Sequence, residues 1–496
     1  MSSRPLDLRP YQASAIQALR EAMREHRRVI LASPTGSGKT EMGMEIIRGA
    51  IAKGKRVAFL ANRVHLVGQT SARFLRAGID HGIIQAENTY NPWSPVLVCS
   101  IQTVARRGLP EVDLVVIDEA HTAAGTKAYR EIMKGLPVIG LSATPFSKGL
   151  GKHYDDLGGP LFETVVEAAK IRDLIRDGYL VDAVVYAPSE PDLENVSIKA
   201  GDYDEKELGE AVDKPALIGD IVEHWLRLAD GSSTVCFATN IAHSKHIVDQ
   251  FEKAGVTAEH LDCYTSDYER KAILARVQSG ETKVVSNVGI LCEGWDFPAC
   301  KTLILARPTR SLIRYLQMAG RVLRPHEHKP HALILDHSGV VARLGFPWDD
   351  QDMRLDKGTP AESKAKERCR EPRMPSPCPK CFFMREVGVR KCPKCGHESL
   401  PPVDIVSTTD QLVPVTEKRK KVQQLAELSK QDVYSQLRYI AVTKGYSDGW
   451  VSHKYRTIFD VWPRGLSKEP KEPSGVLLAW IRSEQIRWAK SRLNHG

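Results

Sequence analysis

The amino-acid sequence predicts an α/β protein with two parallel-sheet domains in tandem, followed by a small cysteine-rich module and a helical C-terminal domain. Short apolar runs alternate with amphipathic helical patterns along the first 345 residues, which is typical of strand–helix repeats in parallel sheets. Two CxxC pairs follow, and helical patterns continue behind them. The predicted segments are 1–165 and 166–345 for the two sheet domains, 346–377 for a linker, 378–400 for the cysteine module, 401–430 for a basic linker and helix, and 431–496 for a basic helical domain.

Charge is unevenly distributed along the chain. Residues 361–496 carry 26 Lys+Arg and 15 Asp+Glu, whereas residues 1–360 carry 44 and 46. A basic C-terminal part is typical of proteins that meet nucleic acid, although a solvated surface without a partner gives the same balance. No apolar run reaches the roughly 18 residues of a membrane-spanning helix. Because residues 1–10 also lack an apolar signal core, we expect a cytoplasmic protein with no membrane partner.

The stretch 29–40 is the first motif with a chemical meaning. A buried strand runs into a glycine-rich turn and then opens a helix, so that backbone N–H groups around Gly36 and Gly38 can face one anion. Lys39 would reach the β- and γ-phosphates of a nucleotide, and the Thr40 hydroxyl would ligate Mg²⁺. A glycine-rich loop that binds nothing is the alternative. The residues predicted to form the cradle are Pro34, Thr35, Gly36, Ser37, Gly38, Lys39 and Thr40.

Two adjacent carboxylates emerge at the end of the apolar run 114–117. Asp118 would bind Mg²⁺ directly or through water, and Glu119 would orient or deprotonate the water that attacks the γ-phosphate. An acidic helix N-cap is the alternative interpretation. A further apolar run ends in Ser142 and Thr144, whose short hydroxyls could relay the state of a nucleotide to a neighbouring domain or could simply form a turn.

The second sheet domain has no phosphate cradle of its own but contains a basic segment, 315–325, that we predict to be a helix. On such a helix Gln317, Arg321 and Arg324 fall on one face at i, i+4 and i+7. That face could point across a cleft at a γ-phosphate held by the first domain, and arginine fingers of this kind are worth roughly 10³–10⁵ in rate. A basic surface helix is the alternative, but it usually carries acidic partners at i±4, and this segment has none.

Four cysteines form two CxxC pairs that are separated by ten residues: Cys378, Cys381, Cys392 and Cys395. Four thiolates favour a tetrahedral, closed, structural Zn²⁺ site. Metal binding would supply folding free energy that a segment with so few apolar residues lacks. Behind this module, aromatic residues alternate with basic ones between 446 and 462. They could stack on nucleic-acid bases or form the core of a small helical domain, and both interpretations stay open.

Six motifs in order resemble those of superfamily 2 helicases and translocases in the DEAH-box style. The adenine-reading segment and motifs I, II, III, V and VI correspond to 8–12, 34–40, 118–121, 142–144, 294–296 and 317–324. The resemblance implies two RecA-like domains with ATP and Mg²⁺ between them. With the cysteine module behind these domains, the chain looks most like RadD-like and phage-encoded helicases.

The resemblance also implies roles for residues whose chemistry alone is not specific. Tyr11 and Gln12 would contact adenine, and Gly294 and Asp296 would belong to the ATP site. His121, together with the hydroxyl residues of motif III, would couple the ATP site to the second domain. The residues assigned to the nucleic-acid surface are Arg63, Ser100, Gln102, Thr103, Thr239 and Asn240.

The predicted function is that of an ATP-dependent DNA helicase or translocase acting in replication, recombination or repair, in the cytoplasm of a bacterial or phage-infected cell. Single-stranded or forked DNA would be the partner, with single-strand-binding protein as a further one. The resemblance favours DNA over RNA. Two other functions stay open: a double-strand translocase or annealing motor that never separates strands, and an ATP-gated clamp or scaffold.

Overall fold

The computed structural model describes residues 7–188, 191–199, 201–229, 231–292, 294–358, 374–398, 425 and 428–481. The chain divides into two units, 1–399 and 400–496. Within the described ranges no helix has the length and apolarity that crossing a membrane requires.

The first domain is built on an eight-stranded sheet in which every neighbouring pair is parallel except the last. Its strands lie in the order β10-β1-β7-β6-β2-β5-β3-β4, while β8 and β9 form a separate antiparallel pair. The strands are β1 (Arg28–Ala32), β2 (Val57–Ala61), β3 (Gly82–Gln85), β4 (Asn88–Tyr90), β5 (Val96–Ser100), β6 (Leu114–Asp118), β7 (Val138–Ser142), β8 (His153–Tyr154), β9 (Gly159–Pro160) and β10 (Thr164–Glu167).

Both faces of this sheet are buried, which explains why its central strands read as unbroken apolar runs. Along β2, Phe59 packs into the core on one face, whereas Ala58 and Leu60 pack into the core on the other. The edge strand β10 extends the sheet to Glu167, two residues beyond the predicted boundary at 165. The helices of this domain are α1 (Pro10–Glu25), α2 (Lys39–Ile51), α3 (Val64–Arg76), α4 (Ile101–Arg107) and α5 (Lys127–Met133).

The second domain is built on a six-stranded sheet that is parallel throughout, in the order β11-β18-β17-β14-β16-β15. Its strands are β11 (Ala183–Tyr186), β14 (Thr234–Phe237), β15 (Ala258–Leu261), β16 (Val284–Asn287), β17 (Thr302–Leu305) and β18 (Ala332–Asp336), with β12 (Ile198–Lys199) and β13 (Asp202–Tyr203) forming a separate hairpin. Its helices are α6 (Ile171–Arg176), α7 (Glu205–Val212), α8 (Pro215–Leu228), α9 (Ile241–Lys253), α10 (Asp267–Ser279), α11 (Leu312–Ala319) and α12 (Val340–Leu344).

The predicted linker 346–377 is wrong in its first part, because residues 346–358 pack against both domains. Phe346 and Trp348 stack at 4.9 Å between ring centroids and join the core of the second domain. Leu355 then packs against the core of the first domain. The Pro- and Asp-rich composition suggested exposure, but these three apolar side chains anchor the segment. We call residues 346–358 the strap; residues 359–373 lie outside the described part of the chain.

Polar contacts fix the far end of the strap to the first domain. The Asp356 carboxylate accepts a hydrogen bond from Gly149 N at 3.1 Å, and its carbonyl accepts one from Gly151 N at 2.8 Å. Nearer its start the strap contacts the second domain, because Asp350 and Asp349 pair with Lys170 and Arg172 at 2.9 and 3.0 Å. The strap therefore contacts both domains.

We predict that Trp348→Ala destabilises the protein, because it removes the stacked anchor of the strap from the core. A core Trp→Ala change costs about 3–5 kcal/mol, which urea unfolding followed by circular dichroism can measure. Arg354→Ala is the matched control, since this strap side chain is 80% exposed, and it should change the free energy by less than about 0.5 kcal/mol. Equal effects of the two substitutions would show that the strap is not anchored.

The cysteine module docks on the edge of the second sheet. Its strands β19 (Ser376–Pro377) and β20 (Met384–Arg385) form an antiparallel pair. Ala187 N, just beyond β11, donates to Phe382 O at 3.0 Å, and the rings of Tyr186 and Phe383 meet edge to face at 5.9 Å. Because β11 is an edge strand, the module covers backbone groups that would otherwise be open to pairing with another chain.

The unit 400–496 contains α13 (Lys430–Lys444) and α14 (Asp448–Phe459), with further helical residues at 475–481. Tyr455 and Trp480 belong to its core, which favours the core interpretation for most of the aromatic residues. Trp462 differs: it is 44% exposed, and the Arg456 guanidinium lies 4.7 Å from its ring centroid. Most of the predicted basic segment and residues 482–496 lie outside the described ranges.

Candidate active site

The loop between β1 and α2 has the conformation of an anion cradle. Gly38, with φ 84° and ψ 40°, precedes the first turn of α2 in the left-handed region that favours glycine. No side chain caps this helix, so its first N–H groups stay available to an anion. The Ser37 hydroxyl donates to Pro34 O at 2.6 Å and holds the turn.

Tyr11 and Gln12 brace the cradle from α1. The Tyr11 hydroxyl and the Gln12 amide nitrogen both donate to Ser37 O, at 2.5 and 2.9 Å. The amide oxygen of Gln12 accepts from Arg9 N at 2.9 Å, so both ends of this buried amide have protein partners. Tyr179 packs against Tyr11 at 5.2 Å between centroids, a contact that the sequence did not suggest. The adenine contact of Tyr11 and Gln12 stays a prediction.

The two predicted carboxylates lie beside the lysine of the cradle. Glu119 Oε1 is 3.1 Å from Lys39 Nζ, and its other oxygen is 3.4 Å from His121 Nδ1. Asp118 Oδ1 accepts from the backbone N–H of Glu119 at 3.0 Å. Glu119 has a φ of 47°, and a non-glycine residue in this region marks a backbone held in place by its surroundings.

Burial and neighbouring charges shift the pKa values of the two carboxyl groups in opposite directions. Burial, reinforced by the Glu119 carboxylate, raises the pKa of Asp118 to about 6. Burial alone would also raise the pKa of Glu119, but the Lys39 ammonium and the His121 imidazole hold it below its usual range. Glu119 is therefore ionised at neutral pH and can accept a proton from water or orient it. A divalent cation would offset the cost of ionising Asp118.

A chain of polar contacts leads away from the carboxylates. His121 Nδ1 lies 3.2 Å from Ser142 Oγ, which also accepts from Thr144 N at 3.1 Å. All three side chains are buried. Phe146, two residues beyond Thr144, packs against the core of the second domain. The contacts form the continuous path that a coupling role requires, and the role itself stays a prediction.

The predicted helix 315–325 is wrong in its second half. The helix α11 ends at Ala319, and Gly320 is its C-cap, so Arg321 and Arg324 follow the helix in a turn. A Cβ at Gly320 would lie 2.4 Å from Thr35 Cβ. Only glycine at position 320 lets the second domain approach the phosphate loop this closely. This contact lies directly after the last residue of α11.

The two arginines take different positions in the cleft. Arg321 is buried and donates to Trp295 O at 2.6 Å and to Cys292 O at 2.8 Å. Arg324 donates to Trp295 O at 3.0 Å and pairs with Asp296 at 2.5 Å. The Arg324 side chain lies over the phosphate loop, since a Cβ at Gly36 would be 3.0 Å from its Cγ. Arg321 thus braces its own domain, and Arg324 faces the other one.

A cleft of about 470 Å³ lies between the two domains and collects these groups. The predicted site residues that line it are Gln12, Thr35, Gly36, Gly38, Lys39, Thr40, Asp118, Glu119, Gly294, Asp296, Arg321 and Arg324. Gln317 is buried and is not among the lining residues. A phosphate cradle, two carboxylates and two guanidinium groups in one cleft are the parts that phosphoryl transfer to water requires.

One lining residue, Arg73 on α3, was missed by the sequence analysis. Its Nη1 donates to Thr40 Oγ1 at 3.0 Å, and its Nη2 lies 3.7 Å from Asp296 Oδ2. Leu66 and Gln69, at i−7 and i−4, line the same cleft. This helical spacing is a signal in the sequence, but no motif marks it.

The residues predicted to contact nucleic acid differ in their exposure to solvent. Arg63 and Gln102 are exposed, and Gln102 donates to Asn62 O at 2.7 Å. The side chains of Ser100, Thr103 and Thr239 are buried. Asn240 caps α9 by accepting from His243 N at 2.8 Å. Their contacts with nucleic acid stay predictions, and the exposed pair is the better placed for them.

The four cysteines of the module come together as predicted. Their sulfur atoms lie within 4.8 Å of one another, with Cys378 and Cys395 at 3.7 Å and Cys381 and Cys392 at 3.6 Å. Zn–S bonds of about 2.3 Å in a tetrahedron imply sulfur separations of about 3.8 Å. The arrangement therefore fits one four-coordinate metal ion.

Comparison with known proteins agrees with this architecture. The family model "Type III restriction enzyme, res subunit" matches residues 5–147, and the model "Helicase conserved C-terminal domain" matches residues 213–326. The first match contains the phosphate cradle and both carboxylates, and the second contains both arginines. Each half of the cleft thus comes from a separately matched domain.

Related proteins are similar over most of this chain. A 51.5 kDa protein of a Lactococcus phage is 28% identical over 380 residues, which are 74% of this chain and 78% of that protein. A protein provisionally named ATP-dependent helicase IRC3, from Saccharomyces cerevisiae, is 29% identical over 394 residues, or 72% of this chain. This chain spans only 56% of the length of that yeast protein and 59% of its Schizosaccharomyces pombe counterpart.

Among solved structures, a fragment provisionally described as the HsdR subunit of a type I restriction enzyme from Vibrio vulnificus superposes with a TM-score of 0.51 at 21% identity. The superposed region covers 71% of this chain and 66% of the Vibrio vulnificus chain. This likeness supports the fold alone. Together with the motifs and the family matches, these findings identify the chain as a member of superfamily 2 of helicases. It is an ATP-hydrolysing enzyme of the helicase type.

Proposed function

We propose that this protein is a DNA helicase or translocase that hydrolyses ATP in the cleft between its two domains. The observation that carries the proposal is the composition of the cleft. Lys39, Asp118 and Glu119 come from the first domain, whereas Arg321 and Arg324 come from the second. Because the site is complete only when both domains contribute, hydrolysis and domain movement are linked.

Each side chain has a defined task in this proposal. Lys39 and the N–H groups of the cradle hold the β- and γ-phosphates, and Glu119 orients the attacking water and accepts its proton. Thr40 and Asp118 would hold Mg²⁺, which neutralises phosphate charge when it is bound. Arg324 stabilises the charge that develops on the γ-phosphate, while Arg321 holds Cys292 and Trp295 in place through their carbonyl groups.

Nucleic acid would be bound by exposed groups on the first domain and in the C-terminal unit. Arg63 and Gln102 are exposed on the first domain, and Trp462 with Arg456 offers a ring and a charge in the unit 400–496. Aromatic and basic side chains of this kind bind single strands by stacking and phosphate contacts. The family resemblance alone favours DNA over RNA, since the basic C-terminal part would attract either polyanion.

Forked and triplex substrates distinguish the proposed activity from its alternatives. A helicase separates the strands of a labelled fork in the presence of ATP, and Glu119→Gln should abolish this separation. Displacement of a triplex strand without fork unwinding would make the protein a double-strand translocase. ATP turnover that does not depend on DNA length would favour an ATP-gated clamp.

We also propose that the four cysteines hold structural Zn²⁺, because their sulfur spacing fits a tetrahedral site and the module has little apolar core. We predict that Cys392→Ser removes the metal, measured as zinc per chain by elemental analysis, and lowers the thermal midpoint. Cys263→Ser is the matched control, since Cys263 is an exposed free thiol far from the module in sequence. Full zinc content in the Cys392 variant would contradict the assignment.

A further inference from the structure

Arg73 occupies a position that the proposed mechanism does not explain. Its guanidinium contacts two groups that belong to different domains: Thr40 Oγ1 at 3.0 Å and the Asp296 carboxylate at 3.7 Å. The same carboxylate pairs with Arg324 at 2.5 Å. The four side chains therefore form one row across the cleft, from Thr40 through Arg73 and Asp296 to Arg324.

The contact with Thr40 conflicts with metal binding. The Thr40 hydroxyl oxygen is the atom that would ligate Mg²⁺, at about 2 Å. Arg73 donates a hydrogen bond to the same atom. A guanidinium and a divalent cation on one oxygen would be neighbouring like charges in a partly buried cleft, where screening by water is weak. Arg73 and Mg²⁺ are therefore alternative partners of Thr40.

We propose that Arg73 is a positioning residue that competes with Mg²⁺ for Thr40 and moves onto Asp296 when the metal ion binds. The Asp296 carboxylate already lies 3.7 Å from Nη2 of Arg73, so a guanidinium that leaves Thr40 has a countercharge within reach. Arg324 then shares the Asp296 carboxylate with Arg73, so the ion pair between Arg324 and Asp296 becomes weaker. Metal binding in the first domain is in this way coupled to the arginine that the second domain presents to the phosphates.

Binding of a fluorescent ADP analogue, titrated with Mg²⁺, tests the competition without any turnover. Arg73→Ala and Arg73→Gln should lower the Mg²⁺ concentration for half-maximal binding at least about fivefold, the lower end of typical coupling effects. Arg76→Ala is the matched control, because Arg76 is exposed on the same helix and does not line the cleft. An unchanged or raised Mg²⁺ requirement in the Arg73 variants would overturn the proposal.

The inference rests on the ATP site of the proposed function, and the two can fail separately. If the unsubstituted protein did not bind the nucleotide at any Mg²⁺ concentration, the assignment of the site itself would be wrong. If binding depended on Mg²⁺ equally in the unsubstituted protein and in both Arg73 variants, only the role of Arg73 would be refuted. Circular dichroism of each variant confirms that the comparison is made between folded proteins.

Discussion

Glu119→Gln is expected to reduce ATP turnover by roughly 10²–10⁴-fold, the usual contribution of a general base. The amide keeps the size of the side chain but cannot accept a proton from water. Nucleotide binding should persist, because Lys39 and the N–H groups of the cradle stay in place. Steady-state ATP hydrolysis and equilibrium binding of a fluorescent ATP analogue measure the two effects.

The matched control for this substitution is Glu111→Gln. Glu111 is exposed and precedes β6, the strand that ends in the two carboxylates. The same chemical change at that position should leave turnover within about twofold, as expected for a surface site remote from the chemistry. Full turnover in the Glu119 variant would remove this residue from the mechanism.

Arg324→Ala is expected to lower turnover by about 10³-fold or more, the range found for arginine fingers. The Arg324 side chain lies over Gly36 of the phosphate loop, so its charge is close to the transferred phosphoryl group. Arg310→Ala, an exposed arginine of the same domain, is the control and should have little effect. Undiminished turnover in Arg324→Ala would show that the second domain does not complete the site.

Arg321→Ala should differ from Arg324→Ala in a second measurement. The buried Arg321 guanidinium donates to the carbonyl groups of Cys292 and Trp295, and its loss removes both hydrogen bonds, although Trp295 O keeps the one from Arg324. We therefore expect a lower thermal midpoint for Arg321→Ala than for Arg324→Ala. The two thermal midpoints therefore distinguish Arg321, which stabilises the structure around the cleft, from Arg324, which acts on the phosphates.

The features whose local structure matches the sequence prediction are those fixed by short-range geometry, while their chemical roles stay predictions. The phosphate cradle depends on a glycine in the left-handed region at position 38, immediately before a helix. The carboxylates depend on a buried strand that ends at Asp118. The cysteine cluster depends on two CxxC turns. In each case a few consecutive residues determine the local structure, so a local pattern is sufficient.

The features that the sequence missed depend on contacts between distant segments. The strap reads as a linker by composition, yet Phe346 and Leu355 anchor it to different domains. The helix α11 ends at Gly320, where the chain passes close to Thr35, more than two hundred residues away in the sequence. Arg73 belongs to no motif, and its contact with Asp296 exists only because the two domains meet across the cleft. Packing between domains is not marked by any motif, and the helical spacing around Arg73 does not show which face of the helix lines the cleft.

The rate of ATP hydrolysis by the full chain, measured with and without single-stranded DNA, tests the central claim most directly. If nucleic acid changes the arrangement of the two domains, it should bring Arg324 toward the phosphates and raise the rate. We therefore predict strong stimulation by single-stranded DNA, weaker stimulation by RNA, and a rate in Glu119→Gln that stays roughly 10²–10⁴-fold lower under every condition. A rate that stays the same with single-stranded DNA, duplex DNA and RNA would contradict the account.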